Sequence, residues 1–408
     1  MVNLNATQGF SDSSALEEIE QNIVASALSS SKLSLASGLA GVLVMQTHLF
    51  RLKPTLRRAA NIKDLLNHVI NEISEQDMQS GLWSGLCGVL YALEFIRGTD
   101  PELLGEHKDS VSSFVEETDE LLLSFVERSP NPHFDLVSGL CGIGAYALSK
   151  TDREAAGKLF EAVERRLELL SDRIDDMCAW KTLPIHVPFN GTELQKQKGR
   201  YDLGLAHGIP GVIALLGYAL SFNLQTNRTC QILDRTVNWL LAQSRPDLGE
   251  SEYTSMITPG QEPDMSVSSR LGWCYGDLSV AAALAVAAQA TGSAELKLYC
   301  NRLVERRLTR SWSSFKLDSM GLCHGDSGIL HILKYFDSSS SSEVRQQVSQ
   351  KLLQRIDAQL NQSSGKIENF GFLEGWAGIL LGLHDFLGDK PPGFDRPWNL
   401  CLLTPSLV

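Results

Sequence analysis

The chain has 408 residues, 43% hydrophobic and 21% charged, with a formal net charge of −12 and a pI near 5.3. That composition suits a sizeable soluble core, and its acidic balance excludes the basic footprint that nucleic acid requires. The opening MVNLNATQGFSDSS has neither a basic n-region nor an apolar h-region, so no secretion signal is expected; the longest nearly apolar run, around Val280–Ala290, is too short to span a bilayer.

One unit recurs along the chain, a glycine motif running into a helical apolar stretch. It reads SGLAGVLV at Ser37, SGLCGVLYAL at Ser84, SGLCGIGAYAL at Ser138, HGIPGVIALLGYAL at His207, YGDLSVAAALAVA at Tyr275, HGDSGILHIL at His324 and EGWAGILLGL at Glu374. The first glycines stand at 38, 85, 139, 208, 276, 325 and 375, at intervals of 47, 54, 69, 68, 49 and 50. Six units keep the second glycine, and Ser279 replaces it in the fifth, a departure expected to affect packing.

About 50 residues per unit accommodates two helices and their connections. Glycine is poor inside a helix but suits a helix start where backbones come close. Between the motifs the chain is amphipathic: Ser110–Ser129 sets Val111, Phe114, Val115, Leu121, Leu122, Phe125 and Val126 near a 3.6-residue period. The pattern predicts seven hairpins, each an outer amphipathic helix followed by an inner apolar one, stacked as a solenoid or closed as a ring. Polar capping repeats are not evident at the ends, which favours closure. Two intervals carry irregular segments rich in turn residues, 175–204 and 244–270, of the length that often forms lids or binding loops.

The residues before each first glycine set the chemistry. The first three units carry Ala-Ser, Trp-Ser and Val-Ser; the last four carry Ala206-His207, Cys274-Tyr275, Cys323-His324 and Leu373-Glu374. Equivalent units bring these positions to one mouth. Cys274, Cys323 and His324 form a zinc-like set of two thiolates and an imidazole, and three protein ligands leave a fourth tetrahedral position open, as in catalytic zinc sites. His207, with Ala206 in place of a ligand, is expected to serve catalysis. Glu374 reads equally as a helix-dipole partner or a substrate-facing carboxylate. Asp277 and Asp326 stand at helix starts, where capping is the default. Eight scattered cysteines without a CxxC pair point to reduced thiols in cytoplasm. Cys87, Cys141, Cys178, Cys230, Cys300 and Cys401 read as small apolar fillers. His48, His68, His107, His133, His186, His331 and His384 lack a comparable context.

The elements LAHGIPG, GWCYGD, LCHGDSG and FLEGWAG resemble those of the lanthionine synthetase C-like family, and the glycine units extend the likeness over Ser37–Leu383. The resemblance implies a single all-α domain over 1–408, an α/α toroid of seven inner and seven outer helices, with one zinc ion held by Cys274, Cys323 and His324. It gives His207 the role of acid/base, places Asp135 of FDLVSGLCG beside it, and makes Arg270 an active-site arginine; Tyr275 joins this catalytic group. Some relatives carry a small SH2-like extension, and residues 175–204 are a candidate for such a β-containing piece.

The chemistry implied is addition of a peptide cysteine to dehydroalanine or dehydrobutyrine. A bound metal deprotonates a thiol that is otherwise mostly protonated at neutral pH. A histidinium held by a carboxylate can protonate the α-carbon, and an arginine can stabilise the developing oxyanion. Only 36 residues precede Ser37, too few for a fused dehydratase, so the dehydrated precursor peptide is expected from a separate dehydratase. The partners implied are that enzyme and a peptide transporter, in a complex that would hold this cytoplasmic monomer at the inner membrane. The 244–270 loop is the candidate groove for a peptide leader. An alternative is a non-cyclising scaffold that binds zinc and a thiol such as glutathione. Toroid glycosidases and terpenoid cyclases need paired carboxylates or an Asp-rich metal motif, and nothing comparable stands at the repeat mouths.

Overall fold

The computed structural model describes residues 13–246, 249–262, 269–336, 338–362, 367–387 and 397–406. Every glycine unit opens a helix at the residue after its first glycine. These inner helices are α2 (Leu39–Leu52), α4 (Leu86–Thr99), α6 (Leu140–Ser149), α9 (Ile209–Ser221), α11 (Asp277–Thr291), α13 (Asp326–Leu333) and α15 (Trp376–Leu387). Each follows an outer helix: α1 (Ser13–Leu28), α3 (Leu56–Ile73), α5 (Lys108–Arg128), α7 (Arg153–Leu170), α10 (Thr229–Ala242), α12 (Ala294–Leu308) and α14 (Ser339–Gln362). The short α8 (Glu193–Lys198) is the one α-helix among the described residues outside this alternation. The inner helices are apolar all round and buried, while the outer ones present an apolar stripe to them. Outer starts carry polar caps where the sequence supplies them: Thr55 accepts from the Arg58 amide, Asp152 from Glu154 and Ala155, and Ser293 from Leu296.

Close approach explains the glycines. A Cβ at Gly208 would stand 2.1 Å from the Asp202 carbonyl oxygen, and one at Gly88 would stand 2.7 Å from the Leu35 side chain of the preceding unit. Side chains are excluded where each mouth turn folds back on itself and on its neighbour.

Backbone hydrogen bonds link the turns in series. Ala36 donates to the Trp83 carbonyl at 2.9 Å, Trp83 to Val137 at 3.0 Å and Leu136 to Ala206 at 3.1 Å; farther on, Trp273 donates to Cys323 at 2.9 Å and Leu322 to Leu373 at 2.7 Å. Phe372 then donates to Ala36 at 2.8 Å, and α15 packs against α2. The ring is closed. Between the fourth and fifth units the Leu205 amide instead donates to Ser279 Oγ at 2.7 Å. The serine was expected to matter only for packing; it supplies the acceptor at that joint.

The two irregular segments meet each other. Residues 172–179 form a hairpin of β1 (Asp172–Ile174) and β2 (Met177–Ala179), and β3 (Tyr201–Asp202) pairs antiparallel with β4 (Met256–Ile257), Tyr201 opposite Ile257. No helix among the described residues is long and apolar enough to cross a membrane. Residues 397–406 fill the centre of the ring around a 3-10 turn, Trp398–Leu402, with Leu400, Cys401, Leu403 and Thr404 fully buried. Of the cysteines read as fillers, Cys87, Cys141, Cys178, Cys300 and Cys401 are buried, but Cys230 is exposed on α10 and fills nothing.

Candidate active site

Two neighbouring turns deliver the thiols. Trp273 and Cys274 both donate their amides to the Cys323 carbonyl, at 2.9 and 3.2 Å, which clamps the fifth mouth turn onto the sixth. Gly272 lets them approach, since a Cβ there would meet His324 at 3.2 Å. One ligand atom from each of Cys274, Cys323 and His324 then lies within 4.8 Å of the others, the one such group of three found among the described residues. Tetrahedral zinc with bonds of about 2.0–2.3 Å holds its ligand atoms roughly 3.3–3.8 Å apart, so shifts of about an ångström bring all three onto one ion. Two thiols and an imidazole are a fitting donor set.

The electrostatics favour a thiolate here. Cys274 is pulled down to about 5, first by the hydrogen bond from the Cys323 thiol and then by His324 and Arg270, against its burial. Cys323 is pushed up in turn, because the pair shares one proton. His324 is raised, chiefly through its hydrogen bond with Cys274. Behind it, Glu374 Oε1 lies 3.2 Å from His324 Nδ1, and burial raises that carboxyl group. Glu374 thus faces the imidazole, the position of the outer carboxylate that orients a metal-ligating histidine.

His207 stands one unit away. Its Nδ1 lies 2.7 Å from Asp135 Oδ2, while Asp135 Oδ1 accepts from the Ser138 amide and hydroxyl at 2.9 and 3.1 Å. Burial disfavours an ionised Asp135, yet the hydrogen bonds from His133 and His207 hold it well below the usual carboxylate range. Burial likewise disfavours the His207 cation, but the Asp135 hydrogen bond and charge, with Asp202 and Cys274 beyond, raise it overall. Tyr275 lies with its ring 6.2 Å from that of His207 and donates to Asp202 Oδ1 at 3.1 Å. Burial first, then Asp202, keeps this phenol protonated. Asp202 is itself fixed by Thr182 at 2.7 Å and Arg200 at 3.0 Å.

All seven predicted residues therefore lie on or beside the mouth turns; Arg270 opens the fifth turn, where a Cβ at Gly276 would meet its carbonyl oxygen at 2.0 Å, and its charge helps lower Cys274. Two site residues escaped the sequence reading. His133, set aside as ordinary, contacts Asp135 Oδ1 at 3.2 Å and packs edge-on against His186 at 4.6 Å. Asp202 carried no motif, although its place five residues before His207 was a usable signal. Asp277 and Asp326 do not cap their own helices. Asp277 accepts from the Glu252 and Tyr253 amides at 3.0 and 2.9 Å, and Asp326 pairs with Arg355 of α14 at 2.9 Å.

Fold and mouth together define a closed α/α toroid with a thiol–imidazole centre and an adjacent histidine–aspartate pair. The family model described as lanthionine synthetase C-like protein matches residues 29–398, and the chain belongs to that family. It is 22% identical over 368 residues to the nisin biosynthesis protein NisC of Lactococcus lactis subsp. lactis, covering 87% of this chain and 85% of that protein. It is also similar in fold to a solved nisin cyclase, with a TM-score of 0.72, 19% identity, and coverage of 91% of this chain and 92% of that one.

Proposed function

We propose that this chain is a zinc-dependent cyclase that closes lanthionine and methyllanthionine rings in a dehydrated precursor peptide. The observation that carries the reading is the convergence of Cys274, Cys323 and His324 within 4.8 Å at the same mouth as the His207–Asp135 pair. Zinc held by the trio would lower the pKa of an incoming thiol and keep it nucleophilic at neutral pH.

The chain's own residues do the rest. The S–H bond of a peptide cysteine breaks and gives its proton to solvent, the sulfur bonds to the β-carbon of a dehydroamino acid, the carbon–carbon double bond opens, and a proton enters at the α-carbon. His207, raised by Asp135, is the donor of that proton. Asp135 fixes the ring through Nδ1 and so leaves Nε2 to face the substrate. Arg270 stabilises negative charge on the carbonyl oxygen as the enolate develops. Tyr275 keeps its proton and, anchored on Asp202, walls the space beside His207. Glu374 orients His324.

The chain acts in the cytoplasm as one toroid domain over 1–408, as a monomer. Segments 175–204 and 244–270 are its peptide-contacting insertions, and a separate dehydratase and a transporter are its partners in a membrane-associated assembly. The test turns on an isomerisation. Given its dehydrated peptide and zinc, the protein should remove free cysteine thiols from an alkylation count while the unalkylated mass stays constant, with one product stereochemistry that a no-enzyme control lacks. A peptide that keeps every thiol after long incubation with zinc-loaded protein sinks the cyclase reading and leaves a thiol-binding scaffold.

A further inference from the structure

The fifth mouth turn is built unlike most of the others. In the first, second, third, sixth and seventh units the opening amide of the inner helix reaches seven residues back: Leu39 to Lys32, Leu86 to Gln79, Leu140 to His133, Asp326 to Ser319 and Trp376 to Asn369, at 2.7–3.1 Å. Among the described residues no such bond closes the turn that carries Cys274. Gly276 there has φ of +99°, where Gly38, Gly85, Gly139, Gly208 and Gly325 are extended with negative φ. A turn without its own brace takes its shape from whatever surrounds it.

What surrounds it is the segment at the ring centre. Trp273, the residue before Cys274 and 1% exposed, donates its indole Nε1 to the Leu402 carbonyl at 2.8 Å. Its ring stands edge-on to Trp83 at 5.6 Å, and Trp83 and Trp398 both lie 5.7 Å from Phe372. The 397–406 segment is in turn fixed to four inner helices. Tyr91 of α4 donates to the Trp398 carbonyl at 3.1 Å and accepts from the Cys401 amide at 3.2 Å. Tyr218 of α9 donates to the Thr404 carbonyl, His331 of α13 bonds Thr404 Oγ1 at 2.8 Å, and Trp398 packs near His48 of α2 at 6.2 Å. So a segment held by four inner helices meets the turn that carries Cys274 at the Trp273 indole.

We propose that Trp273 is a positioning residue for the metal centre: pinned by Leu402 below and by the Cys323 carbonyl alongside, it fixes the direction of the Cys274 thiol, so residues 397–406 set metal affinity from the ring centre. The inference rests on the zinc reading of the trio above. Outer groups that orient metal ligands typically change affinity 10–100-fold when lost.

The experiment measures zinc affinity of the full chain by competition with a chromophoric chelator, beside the cobalt-substituted absorption spectrum and thermal unfolding. Trp273→Phe keeps an aromatic ring and loses the N–H; zinc affinity should fall at least about 10-fold, with a shifted cobalt–thiolate band. Trp180→Phe is the matched control. Trp180 is also buried and also donates to a backbone carbonyl, but to Leu167 of the outer helix α7 at 2.7 Å and not to the segment that anchors the Cys274 turn, so its loss should leave zinc affinity and the cobalt band as in the parent. Should Trp273→Phe fold poorly, Tyr91→Phe loosens the same segment without touching the mouth and should still weaken zinc several-fold. Parent-like affinity in Trp273→Phe, or in Tyr91→Phe if that variant stands in, overturns the proposal, as does equal weakening in the Trp180 control. A parent protein that takes up no zinc removes both this proposal and the metal reading beneath it.

Discussion

Two histidine–aspartate pairs of nearly equal length sit in this ring, and their histidines are shifted in opposite directions. At the mouth, His207 and Asp135 are 2.7 Å apart and the His207 side chain is 42% exposed. Deeper in the ring, His331 and Asp385 are 2.6 Å apart and the His331 side chain is 1% exposed. Burial disfavours the cation in both. At the mouth Asp135, Asp202 and Cys274 overcome it, and His207 is raised. In the interior Lys334 shares Asp385 and adds its own repulsion, so His331 is lowered and stays neutral, passing its other nitrogen to Thr404. Equal geometry does not mean equal protonation; depth of burial first, and then the neighbouring charges, set the direction.

The largest expected effect comes from His207→Phe. Ring closure should slow by a factor on the order of 10²–10⁴ per folded molecule, the usual contribution of a positioned acid, a loss far beyond what the missing partner of buried Asp135 takes from stability. Equal rates in parent and variant would end the distinction between the pairs. His331→Leu should do the reverse. It strips Thr404 and Asp385 of a buried partner and should cost about 1–3 kcal/mol in denaturant unfolding; because Thr404 belongs to the segment that anchors Trp273, any accompanying loss of rate should be restored by saturating zinc. The smallest effect, and the sharpest on mechanism, is in the pH profile of Asp135→Asn. Asp135 raises His207, so its removal lowers the histidine; a rate that needs the imidazolium is lost as pH rises through that pKa, and the alkaline limb should move to lower pH. The same sign governs stability: a raised histidine stabilises the fold at low pH and loses that contribution as pH climbs through its folded value, so the variant should show a flatter stability curve there. A limb that stays in place would assign it to another group.

Much of this was legible in the sequence because it is local and repeated. Seven glycine motifs mark all seven inner-helix starts to the residue, since the crowding that demands glycine occurs once per turn. The thiol–imidazole set was readable from register alone, the ring converting equal positions into neighbours. What escaped depends on contacts between distant, non-repeating parts. His133 reaches Asp135 by a two-residue turn that no periodicity announces. Residues 397–406 look like an unremarkable coda, yet they occupy the centre of the ring. Asp277 and Asp326 are spent on holding a loop and an outer helix, which a local capping rule cannot foresee.

The division of labour at the mouth is tested most directly by the zinc content of three purified proteins: the parent, His207→Phe and Cys323→Ala. One zinc per chain is predicted in the first two, and loss of most of it in the third, because His207 bonds Asp135 while Cys323 belongs to the trio. A parent that closes rings while free of zinc, or a His207→Phe protein whose zinc collapses with that of Cys323→Ala, would contradict the account.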